Sequence, residues 1–183
     1  MITRLVLALA FLIICIAARA ADPLASVSIE VKPVGAKKST RDGFKTDYGS
    51  YDKNVDRERS ISITAHNFGR AEIPVIVRTW WIGKPAAVGQ SRVLLRKEEK
   101  ELALGKVDQQ FVVSSGLVEG RDMNLRIIGH RRVDGHKIEG WIVTVHEPGT
   151  DRLVTHKSSD PAYASLLKPQ FTLSSLPLVK EDE

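Results

Sequence analysis

Apolar side chains recur at every second residue along much of this chain. Val27, Ile29 and Val31 alternate with Ser28, Glu30 and Lys32, and Ile61, Ile63 and Ala65 alternate with Ser60, Ser62, Thr64 and His66. Successive strand residues point to opposite faces, so a period of two predicts half-buried strands with one wet face. Residues 73–82 are apolar on both faces and predict a central strand, with Pro74 near its start where a missing N–H costs little. Residues 109–114, 124–132, 137–147 and 152–157 read as further strands.

The punctuation between these runs predicts hairpins. Asp134-Gly135 is a two-residue turn signal, because glycine tolerates positive φ. Residues 148–151 (Pro-Gly-Thr-Asp) join the last two strands, and Asn67-Phe68-Gly69 closes an earlier one. Strands separated by short polar turns, without amphipathic helices between them, predict an all-β antiparallel two-sheet sandwich of about seven to nine strands.

Four segments stand apart. Residues 91–104 carry a charged centre and read as the arms and tip of a strand hairpin, with an exposed helix as the alternative. Asp160 as N-cap and Pro161 at the first position predict a short helix over 160–167. Residues 35–56 read as a long polar loop. Residues 168–183 read as a C-terminal tail, loosely held or added to a sheet edge.

The N-terminus has a different grammar. Arg4 precedes an unbroken apolar run over 5–18, followed by Arg19 and Ala20. The run is too short to span a bilayer and suits a signal-peptide core, with Ala18 and Ala20 at the positions a signal peptidase reads. Residues 1–20 are therefore expected to be removed, leaving a sandwich domain over 21–167, the tail over 168–183, and no transmembrane helix. Cys15, preceded by Ile14, reads as part of the apolar run and not as a lipidation site. The formal charge of +5 loses Arg4 and Arg19 and becomes +3, and the single cysteine is lost with the same segment. An exported domain without cysteine must hold together by its core.

From Gly140 the chain reads Gly-Trp-Ile-Val-Thr-Val, a turn, Arg-Leu-Val-Thr, then Ser-Ser-Asp-Pro and a short Leu-Leu helix. With the earlier strands, this resembles uncharacterised exported bacterial proteins with an immunoglobulin- or fibronectin-III-like sandwich. The resemblance implies a fold and carries no catalytic residue across.

Catalytic and metal signatures are weak. The five histidines show no His-x-His or His-Glu-x-x-His spacing. Residues 52–56 match the first three ligand positions of an EF-hand loop, but Arg57 stands where glycine is needed and Ile63 where glutamate is needed. No Gly-x-Ser-x-Gly elbow and no phosphate-cradling glycine loop occur. The expectation is a non-enzyme without cofactor or metal.

Two kinds of residue point to binding. Trp80 and Trp81 are adjacent, so in a strand they face opposite ways and at most one enters the core unless a second layer covers the other. An exposed tryptophan with Tyr48 and Tyr51 would suit a polysaccharide. Arg131, Arg132 and Lys137 form a basic cluster that suits an anionic polymer, a lipid head group or an acidic envelope protein. Export and a modest charge argue against nucleic acid. The functional expectation is a non-catalytic binding or structural module of the bacterial envelope, periplasmic or extracellular. A carbohydrate-binding module and a hydrolase with an unrecognised site are the alternatives.

Overall fold

A computed structural model describes residues 22–45, 50–87, 89–125, 130–168 and 173–179 of the chain. The expected signal segment over 1–20, and Tyr48, lie outside them. The strands are β1 (Val27–Lys45), β2 (Ser50–Asn67), β3 (Ile73–Pro85), β4 (Val93–Leu104), β5 (Gln109–Ser114), β6 (Val118–Leu125), β7 (His130–His146) and β8 (Leu153–Ser158). All pair antiparallel. They form one 8-stranded sheet in the order β1-β2-β6-β7-β3-β4, with β5 on β2 and β8 on β7.

This continuous sheet folds over on itself as an open sandwich, which is the all-β class that the alternation predicts. One layer contributes Ile29 from β1, Ile61 and Ile63 from β2 and Val113 from β5. The other contributes Val75, Val77 and Trp81 from β3, Leu102 and Leu104 from β4, and Val143 and Val145 from β7. These side chains form a single buried cluster, so the alternating apolar residues of both layers meet face to face. Strand β3 runs centrally between β4 and β7, as its two-sided apolar sequence requires.

A second, smaller cluster lies on the outer face of β3 and β7. Trp80, Ile82, Leu94 and Ile142 are covered there by Tyr163, Leu166 and Leu173. Tyr163 and Leu166 sit on the helix Pro161–Leu167, which winds as a 3-10 helix. Its three-residue period stacks both side chains on one face. As expected, Asp160 caps it, accepting a hydrogen bond from the Ala162 N–H at 2.8 Å. Beyond it, the Leu94 N–H donates to the Pro177 carbonyl at 3.0 Å and the Val179 N–H donates to the Leu94 carbonyl at 2.9 Å. Residues 173–179 thus dock on the domain and cover its outer apolar layer.

Four expectations are revised. Residues 35–56 are not a loop: β1 and β2 continue through them on both sides of the connection, in register from Gly35↔Ser60 to Lys45↔Ser50. They lack apolar alternation because ion pairs and flanking strands hold them. Asp134-Gly135 is not a hairpin turn; β7 runs straight through it, and β6 pairs with β7 from Gly120↔Gly135 to Leu125↔His130. Residues 124–132 are accordingly divided between two strands. Residues 91–104 are neither a hairpin nor a helix: β4 is one strand paired along β3, with its charged centre on the sheet edge.

The extra length of β2 and β7 carries the sheet beyond the sandwich. Beyond the sandwich, the far ends of β1 and β2 pair with β6 and β7 as a four-stranded extension. Its central strand β2 uses residues 60–65 to pair with β5 and residues 50–57 to pair with β6.

Candidate functional site

The two faces of the extension carry different charge. Paired residues share a face, so the register sorts the side chains. On one face Lys37, Arg41, Arg121 and Arg132 alternate with carboxylates, and each has a partner. Lys37 reaches Glu58 at 3.5 Å, Arg41 reaches Asp56 at 3.0 Å, and Arg132 reaches Asp134 at 2.7 Å. Arg121 makes two hydrogen bonds to Asp52, one of them at 3.0 Å. This face is internally neutralised. The Glu58 carboxyl is held below its ordinary pKa, first by a hydrogen bond from Ser114 and then by Lys37.

The other face continues the core face of β2. It carries Lys38 of β1, Lys53, Val55 and Arg57 of β2, Asp122 of β6, and Arg131 and Val133 of β7. Lys53, Arg57, Arg131 and Lys137 line a groove of about 540 Å³ whose floor includes Val55, Gly120 and Val133. Asp122 is the groove's carboxylate, and Arg131 grips it with two hydrogen bonds of 3.0 and 2.7 Å. That bidentate bond, opposed by partial desolvation and aided by the nearby Lys53 and Lys137, lowers the Asp122 pKa. Asp42 lies 4.0 Å from Lys53, a weak contact. Arg57, half-buried over Gly120, and the exposed Lys137 form no ion pair among the described residues. The groove is therefore cationic after its own carboxylate is counted.

The sequence-derived candidates divide accordingly. Arg131 and Lys137 come together in the groove. Arg132 is turned to the neutralised face. Tyr51 is half-buried at the far end of β2, and Tyr48 lies outside the described residues. Trp80 is 8% exposed and Trp81 0% exposed, so neither offers a face to a sugar. Trp81 lies in the main core, while Trp80 is sealed by the C-terminal layer and the Lys97 ammonium sits 5.0 Å from its ring centroid. The carbohydrate expectation through these two tryptophans is thereby withdrawn.

Lys53 and Arg57 escaped the sequence reading. Their signal was the pattern Lys-x-Val-x-Arg over 53–57, which puts both cations on one side of a strand, but only once the segment is recognised as a strand. The EF-hand-like residues 52–56 lie in that same strand: Asp52 binds Arg121 and Asp56 binds Arg41, so they do not converge. Among the described residues no three of His, Cys, Asp and Glu gather as a metal site. No described helix is long and apolar enough to cross a membrane.

No family model and no curated protein matches the chain. Among solved structures, a protein from Akkermansia muciniphila aligns at 12% identity and TM-score 0.32, covering 88% of this chain and 83% of that one. A β-glucosidase from Kluyveromyces marxianus aligns at 14% identity and TM-score 0.29, covering 72% of this chain but only 14% of the enzyme. The same enzyme in complex with glucose gives a TM-score of 0.28.

Proposed function

We propose that this chain is a non-catalytic binding module of the bacterial envelope that holds an anionic polymer against its four-stranded extension. The observation that carries this reading is the charge left over in the groove. Lys53, Arg57, Arg131 and Lys137 line it, and its carboxylate Asp122 is already engaged by Arg131. The opposite face spends its cations on its own carboxylates, so the asymmetry is local and not a consequence of overall charge. A groove lined by one sign of charge concentrates ligands of the other sign and speeds their capture. The signal-like segment over 1–20 and the sandwich resemblance support an exported location. The extension is a strand-borne surface whose register sets the spacing of its charges.

Titration calorimetry with polyphosphate, polyglutamate and neutral dextran tests the reading. Both polyanions should bind, dextran should not, and raising the salt should weaken binding. Reversing Arg57 and Lys137 together (Arg57→Glu with Lys137→Glu) should lower affinity by at least about tenfold, or about 1.4 kcal/mol. Arg132→Glu, on the opposite face, should change it by less than about threefold. Equal losses from both substitutions, or no polyanion binding by the unaltered protein, would sink the proposal.

A further inference from the structure

A second recess lies where β1 and β2 leave the sandwich. Its volume is about 530 Å³, and Pro33, Val34, Ile61, Trp81 and Trp141 make most of its wall. Strand β1 bulges around it, since the register slips between Pro33 and Gly35, leaving Val34 out of the ladder. The recess opens to solvent, with Pro33 and Val34 exposed at its rim and Ile61 and Trp81 sealed beneath it, and its size falls inside the range of small-molecule sites.

Two polar features accompany it. Arg59 lies at the recess with an exposed side chain that forms no ion pair among the described residues. Its main chain is clamped: the Arg59 N–H donates to Ser115 Oγ at 3.0 Å, and its carbonyl accepts from the Ser115 N–H at 2.8 Å. The base of the side chain is thus fixed, while its head stays available. Ser60 and Ser159 also line it, the Ser159 hydroxyl oxygen accepting from the Trp141 N–H at 3.0 Å. A wall of this kind suits a ligand with an apolar body, and the lone guanidinium adds a requirement for one acidic head group.

We propose that this recess binds a medium-chain fatty carboxylate, its chain against Val34 and Trp141 and its carboxylate on Arg59. The site is separate from the cationic groove, so it stands or falls independently of polyanion binding. A cationic or neutral amphiphile would fill the same walls but leave the guanidinium unmatched.

Tryptophan emission reports on it directly, because the half-buried Trp141 lines the recess. Decanoate, titrated below its aggregation range, should give a saturable change with one site per chain. Decanol and decylamine should bind at least about tenfold more weakly, the worth of one charge-assisted hydrogen bond. Arg59→Gln should weaken decanoate by a similar factor and leave decanol unchanged. Ala36 is exposed and directly opposite Arg59 on the same face, so Ala36→Phe should obstruct the mouth and abolish the response to every amphiphile while the fold, checked by circular dichroism, persists. Decanoate and decanol binding alike, Arg59→Gln without effect, or no saturable response would each overturn the proposal.

Discussion

Trp80 and Trp81 are neighbours in sequence with opposite hydrogen-bonding fates. The Trp80 indole N–H donates to Thr144 Oγ1 at 3.3 Å, whereas the Trp81 N–H has no acceptor among the described residues. Thr144 is 1% exposed, so its hydroxyl is replaceable by no solvent molecule at that depth. Thr144→Val keeps the side-chain shape and removes the acceptor. It should therefore leave a second orphaned indole N–H and cost about 1–3 kcal/mol, read from urea denaturation. Thr144→Ser, which keeps the oxygen and loses a methyl, should recover most of that loss. A valine variant as stable as the parent would mean that the 3.3 Å contact contributes nothing. The sequence alone could show that the two rings face opposite ways, since that follows from strand geometry. It could not show that both are buried, because the cover for Trp80 comes from Tyr163, Leu166 and Leu173, far along the chain.

At the level of elements, legibility tracked apolar content. Strands β3 and β5 and the capped helix Pro161–Leu167 were readable because their side chains bury themselves locally or carry their own cap. Strand β6 was not, since Val118-Glu-Gly-Arg-Asp-Met-Asn-Leu125 shows no alternation; its strand state comes from pairing with β2 and β7. The groove was half legible for the same reason. Its β7 residues Arg131 and Lys137 stand out in the sequence as a basic cluster, while Lys53 falls inside the expected loop over 35–56 and Arg57 directly after it. Asp134-Gly135 has the backbone conformation that its turn signal implies, but not the turn. Gly135 does take positive φ, at 81°, but it does so within β7, against Gly120 of β6. A Cβ there would come within 2.3 Å of the Glu119 carbonyl oxygen and 2.9 Å of the Gly120 Cα. Gly135→Ala must therefore part β6 from β7 and also adopt an unfavourable φ. It should cost at least about 2 kcal/mol. Because the groove is built across that seam, it should also weaken polyanion binding. Gly149, also at positive φ (83°), has open space around it, so Gly149→Ala should leave binding unchanged. Equal binding by the two variants would place the anion elsewhere.

For the whole molecule, stability is unevenly distributed between sandwich and extension. The sandwich encloses the large apolar cluster, with Trp81, Ile61, Ile63, Val75, Val77, Val143 and Val145 all below 2% exposure. Among the described residues of the extension the buried apolar side chains are Val55 and Val118, and the ion pairs there keep an exposed cation. Such pairs are each worth only about 0–1 kcal/mol, against about 1.5–3 kcal/mol for each fully buried aliphatic side chain. The extension should therefore open locally without global unfolding. Native-state hydrogen exchange should show the amides of residues 52–56 and 120–123 exchanging at least about a hundredfold faster than those of 61–63 and 142–145. Under the proposed function, a polyanion held across β2, β6 and β7 would stabilise the closed extension and leave the sandwich limited by its own core. Polyphosphate at about 100 times its dissociation constant should slow exchange in the extension by up to about a hundredfold, or about 2.7 kcal/mol. It should slow the sandwich core far less. Uniform slowing along the chain would mean that the extension and the sandwich open as one unit, and would remove the basis for treating the groove as a locally ordered binding surface.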